Sequence, residues 1–147
     1  MSREVNVAAI VAEIHGHLAA ENAQDLDALL DGMTEDCFNL IVPDPHRLYA
    51  GPVEVARRYR GLWATFPDLN VEMRRIISVQ EDSAVSEHIL SGTQRGSLFG
   101  IPATNLRVEV ETAVVWDIKD GRIKGEIVYF DLATMLRQVG FLRLPNS

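Results

Sequence analysis

Several features that mark particular functional classes are scarce in this sequence. Cys37 is its single cysteine, which excludes an internal disulfide framework and favours a reducing, cytoplasmic location. Anionic residues outnumber cationic ones, 21 to 14, and the net charge of −7 argues against nucleic acids and anionic membranes as partners. No apolar run is long enough to span a membrane, and the first residues lack the apolar core of a signal peptide. We therefore expect a cytoplasmic protein that binds neither nucleic acid nor membrane.

The composition that is present favours one globular domain. The 147 residues fit a single domain, residues 1–147, which is large enough to bury a core or enclose an internal cavity. The hydrophobic share of 47% and the charged share of 24% are ordinary for such a domain, so composition alone does not single out a function. The sequence has no internal repeat and no low-complexity tract.

Hydrophobic periodicity predicts helices first and strands afterwards. Apolar residues recur at helical spacing over residues 6–21, 26–33 and 52–66, and a short apolar strand is predicted at residues 37–42. Alternating residues then predict a run of long strands, followed by a short closing helix. This order predicts an α+β fold, a cone-shaped barrel in which a curved antiparallel sheet wraps around the N-terminal helices. The concave face of such a sheet is filled by side chains or holds a ligand.

A carboxylate ends the last predicted strand. Alternation places Ile127, Tyr129 and Asp131 on one face of that strand. If this face meets a pocket, Asp131 is a desolvated base. Asp131 also directly precedes a helical pattern, where Asp is a favoured N-cap. The residues leave both roles open, and the roles conflict, because capping lowers the pKa of a carboxyl whereas burial raises it.

Two polar residues occupy adjacent positions in the strand predicted over residues 84–93. Because Glu87 and His88 are neighbours, one of them faces inward whichever face is buried. An inward polar group needs a partner or lines a cavity. A metal site is not expected, because His15 and His17 point to different sides of their helix and no other spacing resembles a ligand set.

Short segments spread over most of the chain together resemble one known family. The segments are WATFPDL (63–69), SGTQRG (91–96), FGIPAT (99–104), VVWDIKDGRI (114–123) and YFD (129–131). They resemble the SnoaL-like polyketide (ester) cyclase family. The resemblance implies the cone-shaped α+β barrel that this family shares with ketosteroid isomerase and nuclear transport factor 2.

The resemblance also implies a chemistry. It implies an interior pocket for a hydrophobic small-molecule substrate, often polycyclic, with no cofactor and commonly a homodimer. In these cyclases a single Asp near the end of the last long strand removes a proton next to a carbonyl, and the enolate closes a ring by aldol addition. Asp131 matches that position best. The resemblance therefore predicts a cofactor-independent cyclase or isomerase acting on a polyketide-like ketone.

Further candidate residues follow from this chemistry. His88 is the candidate acid–base partner of Asp131, since an imidazole or a phenol near the base stabilises the oxyanion. The family commonly has His where this chain has Gln94, which forms hydrogen bonds but does not titrate. Aromatic side chains supply flat walls for a planar substrate, and core packing is the alternative for each of them. The predicted substrate-binding residues are Tyr49, Trp63, Phe66, Gln94, Phe99 and Tyr129.

Two other functions are compatible with the same scaffold. Epoxide hydrolysis or hydroxylation is one, but such hydrolysis needs an Asp–Arg–Asp arrangement around a water, and the inner face of the 84–93 strand offers neither Asp nor Arg. A non-catalytic ligand-binding or dimerisation module is the other, because a fold does not fix a function.

Overall fold

The computed structural model describes Glu4 and residues 6–146. This part of the chain forms four helices and six strands. The helices are α1 (Val7–Ala23), α2 (Leu26–Asp31), α3 (Pro52–Thr65) and α4 (Leu132–Gln138). The strands are β1 (Met33–Ile41), β2 (Leu48–Ala50), β3 (Asn70–Val79), β4 (Ser83–Thr93), β5 (Arg107–Lys119) and β6 (Arg122–Phe130). None of the helices in the described residues is long and apolar enough to cross a membrane.

One curved sheet forms the body of the fold, with strand order β2-β1-β6-β5-β4-β3. The sheet is open, and β1 pairs with β6 in parallel whereas the other neighbours are antiparallel. The predicted α+β fold with a curved sheet is confirmed, and within the described strands the β1–β6 pair departs from the expected antiparallel pairing. Parallel pairing needs a long crossover, and here everything from β2 to β5 lies between the two strands. Hydrophobic patterns do not encode strand direction, so the parallel pairing of β1 and β6 could not be predicted from them.

The ends of the helices follow local sequence chemistry. Asp25 accepts a hydrogen bond from the backbone N–H of Ala28 and caps α2. Pro52 occupies the first turn of α3, where its missing N–H costs nothing. Gly140, directly after α4 and its C-cap, has φ +77°, a left-handed conformation that glycine adopts readily.

The core lies between the concave face of the sheet and helices α1 and α3. Trp116, Tyr59, Phe66 and Ile14 are among its largest fully buried side chains. Along β6 the inner residues are Glu126, Val128 and Phe130, whereas Tyr129 is 47% exposed on the outer face. The expectation that Ile127, Tyr129 and Asp131 face the pocket was therefore wrong. Both faces of this strand carry an apolar pair and a carboxylate, so alternation could not show which one the helices cover.

Candidate functional site

A cavity of about 320 Å³ opens on the concave side of the sheet. This volume lies at the low end of the roughly 300–1,000 Å³ typical of ligand sites. α3, the inner faces of β4, β5 and β6, the 94–105 loop and α4 all contribute to its wall. The apolar lining includes Ile41, Leu62, Phe66, Leu90, Leu98, Phe99, Val128, Phe130 and Met135, and the polar lining includes Asp44, Tyr49, Arg57, Arg58, Thr65, Ser97 and Thr112.

A carboxylate and a phenol form a pair in the cavity wall. Tyr49 donates its hydroxyl to Asp44 Oδ2 over 2.6 Å, and the backbone N–H of His46 donates to Asp44 Oδ1 over 2.8 Å. Burial and this bond to Asp44 raise the pKa of Tyr49 to about 12, so the phenol stays protonated at neutral pH. Among the described residues that line the cavity, Asp44 is the only carboxylate. It is therefore the anionic group that a bound ligand can reach.

Two consecutive arginines of α3 line the cavity, and they differ in exposure and in their partners. Arg57 is exposed, pairs with Glu54 over 2.7 Å, and lies 5.2 Å from the centre of the Tyr49 ring. Arg58 is half-buried and stacks 4.7 Å from the centre of the Tyr59 ring. Its guanidinium has no hydrogen bond and no ion pair within the described residues. Arg58 therefore has unused donors at the cavity wall.

A buried polar cluster lies beside Arg58 on the helix side of the sheet. Glu126, only 4% exposed, forms an ion pair of 2.6 Å with His17 Nε2. The hydroxyl of Tyr59 donates to the same carboxylate oxygen, and the amide of Asn39 approaches it at 3.4 Å. These side chains come from α1, α3, β1 and β6, so the cluster links both helices to the centre of the sheet.

The ionisation of this cluster is set by opposing effects. Burial alone would raise the pKa of Glu126, but the charge and hydrogen bond of His17, with help from Arg58, bring that pKa down to about 2. Burial opposes the charging of His17 as well, yet Glu126 raises the pKa of His17 overall. Burial and then the charge of Glu126 raise the pKa of the nearby Glu21 to about 7. The charged forms of His17 and Glu126 therefore stabilise each other inside the protein, whereas the neighbouring Glu21 is shifted towards its neutral form.

His88 is the polar residue that the 84–93 strand turns inward. Its side chain is 2% exposed, whereas Glu87 lies on the outer face and pairs with Arg75 over 3.0 Å. Trp116 Nε1 donates to Ser86 Oγ over 2.7 Å, and Ser86 Oγ lies 2.6 Å from His88 Nε2. Besides the bond from Trp116, the Ser86 hydroxyl either donates to or accepts from His88 Nε2, according to the tautomer of the imidazole. Burial lowers the pKa of His88, which favours its neutral form.

Asp131 is a helix cap. Its carboxylate accepts from the backbone N–H of Thr134 over 3.0 Å and from the Thr134 hydroxyl over 2.6 Å. These two bonds lower the pKa of Asp131. The side chain is exposed and borders a shallow groove on the outer face of the sheet, together with Tyr129. The structure therefore places Asp131 and Tyr129 outside the cavity, at the groove that His88 also borders, and the expected inner site shared by these residues is not formed.

The other predicted substrate-binding residues divide between the cavity and the core. Tyr49, Phe66 and Phe99 line the cavity. Trp63 packs in the core, 5.7 Å between ring centres from Tyr59, and is not part of the cavity wall. Gln94 is fully buried, and its amide is occupied within its own loop. Core packing was the stated alternative for Trp63, and it is what the structure shows.

Sequence reasoning missed the polar residues that the structure brings together. Asp44 sits in a proline-flanked segment that resembles any surface loop, and Arg58 follows Arg57 without a distinguishing pattern. Glu126 and His17 are far apart in the chain, and only the tertiary fold joins them. One usable signal existed: Glu126 alternates with the apolar Val128 and Phe130, which is the arrangement of a buried carboxylate as much as of an exposed one.

Comparison with known proteins identifies the family. The family profile described as SnoaL-like polyketide cyclase matches residues 12–139. The chain belongs to the SnoaL-like polyketide cyclase family. No functionally curated protein shows significant sequence similarity to it. The matched range begins within α1 and includes the other three helices and all six strands, so the residues of the cavity and of the buried cluster lie inside it.

Several solved structures have the same fold as this chain. TsrD from Streptomyces laurentii is 27% identical, with a TM-score of 0.82 over 95% of this chain and 100% of that one. A SnoaL-like protein from Jannaschia sp. CCS1 is 20% identical, with a TM-score of 0.84 over 97% of this chain and 99% of that one. An LEH-like epoxide hydrolase from M. tuberculosis is 20% identical, with a TM-score of 0.70 over 90% of each chain. The last two likenesses concern the fold alone.

Proposed function

We propose that this SnoaL-like protein is a cofactor-independent cyclase or isomerase that acts on a polyketide-like ketone in the cavity on the concave side of the sheet, with Asp44 as the general base. The observation that carries the proposal is the Asp44–Tyr49 pair, the one carboxylate of the described cavity lining held by a phenol over 2.6 Å. The two hydrogen bonds to Asp44 fix its orientation and leave further lone pairs free to accept a substrate proton.

The chemistry requires little more than this base and a cation. A proton next to a carbonyl moves to the Asp44 carboxylate, and the electron pair of the C–H bond delocalises onto the carbonyl oxygen as an enolate. The unpaired guanidinium of Arg58 stabilises that oxyanion. In a cyclase the enolate carbon attacks a second carbonyl of the same molecule, and the Asp44 proton passes to the new alkoxide. In an isomerase the proton returns to a different carbon.

Proton exchange tests the base without knowledge of the natural substrate. Wild-type protein is expected to accelerate exchange of the α-proton of tetralone, a bicyclic ketone, in heavy water, as followed by proton NMR. Asp44→Asn is expected to lower the protein-catalysed rate by on the order of 100- to 10,000-fold, the range for loss of a general base. If folded Asp44→Asn exchanges the proton as fast as wild type does, Asp44 is not the base.

The sequence-based role of Asp131 and His88 is tested in the same assay. Asp131→Asn is the matched variant, because it makes the same chemical change on the outer face of the sheet. We expect it to retain exchange activity, since Asp131 faces away from the cavity. If Asp131→Asn rather than Asp44→Asn abolishes exchange, the assignment from family resemblance is the better one. His88→Gln, which keeps a hydrogen-bond partner for Ser86, distinguishes a catalytic imidazole from a structural one.

Non-catalytic ligand binding is the competing function. A protein that binds tetralone, as shown by a shift of its melting temperature, but does not accelerate exchange would be a binding module. Cytoplasmic location and a homodimer stay predictions from composition and family resemblance. Sedimentation equilibrium of the full chain tests the dimer.

A further inference from the structure

Two polar side chains at the cavity wall have no partner of their own. Thr112 lies on the inner face of β5, between His88 and Phe130 in the strand register, and is 7% exposed. Its hydroxyl is buried and makes no hydrogen bond to any described residue. A buried hydroxyl without a partner costs free energy, and such groups in native proteins call for an explanation. A ligand atom in the cavity would supply the missing partner.

Arg58 is the second unpartnered group. Its guanidinium carries five N–H donors, and within the described chain none of them is used. The charges of the nearby Glu21 and Glu126 favour the charged form of Arg58, but neither carboxylate forms a hydrogen bond or an ion pair with its guanidinium in the described part of the chain. Stacking on the Tyr59 ring holds the guanidinium in place while its donors stay free. The chain as a whole is strongly acidic, with a net charge of −7, so an unpaired cation at a cavity wall is a local exception.

We propose that the cavity selects a substrate that is a carboxylic acid, a keto acid with a flat apolar body, and that Arg58 and Thr112 bind its carboxylate. The inference rests on the proposed function and names the substrate class of the same site. A planar guanidinium matches a carboxylate through two parallel hydrogen bonds, and its three remaining N–H donors are left for the enolate oxygen of the same keto acid. The apolar body lies against Phe66, Leu90 and Val128, which line the same cavity.

A matched ligand pair tests the carboxylate without any need for turnover. Binding of naphthoic acid and of naphthamide to the full chain is measured by isothermal titration calorimetry. The two probes share the bicyclic ring and differ in charge. We expect the acid to bind roughly 10- to 100-fold more tightly, the ratio for one charge-assisted interaction. Equal dissociation constants for acid and amide would overturn the proposal.

Variants assign the preference to the two residues. Arg58→Gln is expected to abolish the preference for the acid, and Arg58→Lys to keep part of it. Thr112→Val, which is nearly isosteric, is expected to weaken acid binding roughly 10-fold, as one hydrogen bond to a charged group is lost. Arg60→Gln removes a cation from an exposed position of the same helix, outside the cavity, and is expected to leave the ratio unchanged. A ratio that falls equally in Arg60→Gln and Arg58→Gln would show a general charge effect and overturn the site.

Folding and catalysis are separated from binding by two further arms. If Arg58→Gln does not fold, Thr112→Val provides the test. Unchanged affinity of Thr112→Val for the acid overturns the proposal. Asp44→Asn is expected to bind naphthoic acid at least as tightly as wild type, because a nearby negative charge is removed. If the protein prefers the acid but does not exchange the tetralone proton, the carboxylate site is supported and the proposed catalysis is rejected. If it exchanges the proton but does not prefer the acid, the catalysis is supported and the carboxylate site is rejected.

Discussion

One carboxylate lies on the inner face of β6 and another directly follows its last residue, and the two groups have contrasting environments. Glu126 is buried on the inner face and ion-paired to His17 at 2.6 Å, whereas Asp131 is exposed beyond the strand end and bonded to Thr134. Both have a lowered pKa, but for different reasons. Glu126 is stabilised by a buried cation against a large desolvation cost, and Asp131 by local hydrogen bonds in water. The comparison shows that a depressed carboxyl pKa does not by itself identify a site.

The largest expected effect concerns the inner face. Glu126→Leu removes one partner of a buried ion pair and leaves His17, Tyr59 and Asn39 without their shared acceptor. We expect the free energy of unfolding to fall by about 3 kcal/mol, the lower end for a broken buried pair, since His17 can lose its proton. Urea denaturation at pH 7 measures the change.

A double variant sharpens this result. His17→Leu/Glu126→Leu replaces both charges by apolar groups, and we expect it to lose much less stability than the sum of the two single variants. Strictly additive losses would mean that the two side chains do not interact in solution as they do in the structure.

The next effect is the pH dependence of the inner cluster. The folded-state pKa of Glu21 is raised from 4.5 to about 7, so its stabilising contribution is present below pH 4.5 and is lost as the pH rises to about 7. The folded-state pKa of Glu126 is lowered from 4.5 to about 2, so its contribution is present above pH 4.5 and is lost as the pH falls to about 2. Stability is therefore expected to peak near pH 4.5 to 5.

Thermal or urea unfolding across pH 2–8 tests the peak, and Glu21→Gln is the variant that isolates its alkaline side. Without a titrating carboxyl at this position, the decline between pH 4.5 and 7, on the order of 2–3 kcal/mol from the linkage relation, is expected to flatten. A decline of the same size in Glu21→Gln would assign it to another group, such as His17, whose raised pKa also costs stability as the pH rises.

The smallest expected effect concerns the outer face. Asp131→Ala removes the cap of α4 and is expected to lower the free energy of unfolding by about 1 kcal/mol. The same urea titrations measure it, with Asp131→Asn as the control, since Asn is an equally good cap. A loss in Asp131→Ala as large as that in Glu126→Leu would mean that the contrast between the two faces is wrong.

Much of the fold could be predicted because it depends on local interactions. The alternating strands, the Asp131 helix cap and the Gly140 helix end all follow from interactions between residues close in sequence, which is why a pattern reveals them. The start of β1, in contrast, does not follow from interactions between residues close in sequence. Met33 belongs to the strand and pairs with Ile123, although its spacing extends the preceding helical pattern, because tertiary pairing overrides weak local preference.

The candidate site was harder to predict for a physical reason. A period of two divides a strand into two faces but does not say which one the helices cover, and here the error moved Asp131 to the wrong side. The site residues that the structure adds, Asp44 and Arg58, owe their importance to burial and to missing partners. Neither property exists until the chain has folded. Tyr49, Phe66 and Phe99 were predicted because aromatic residues near a cavity are informative even without geometry.

Gln94 has a consequence for how a ligand enters. Its amide donates to the backbone carbonyls of Gly96, Ile101 and Pro102 at 3.1–3.2 Å and accepts from the Thr104 hydroxyl at 2.6 Å. One side chain thus ties together the loop that supplies Leu98 and Phe99 to the cavity rim. The loop therefore loses its conformational entropy when the protein folds, not when a ligand binds. A ligand that passes the rim does not have to order it, so more of the contact free energy is retained as affinity.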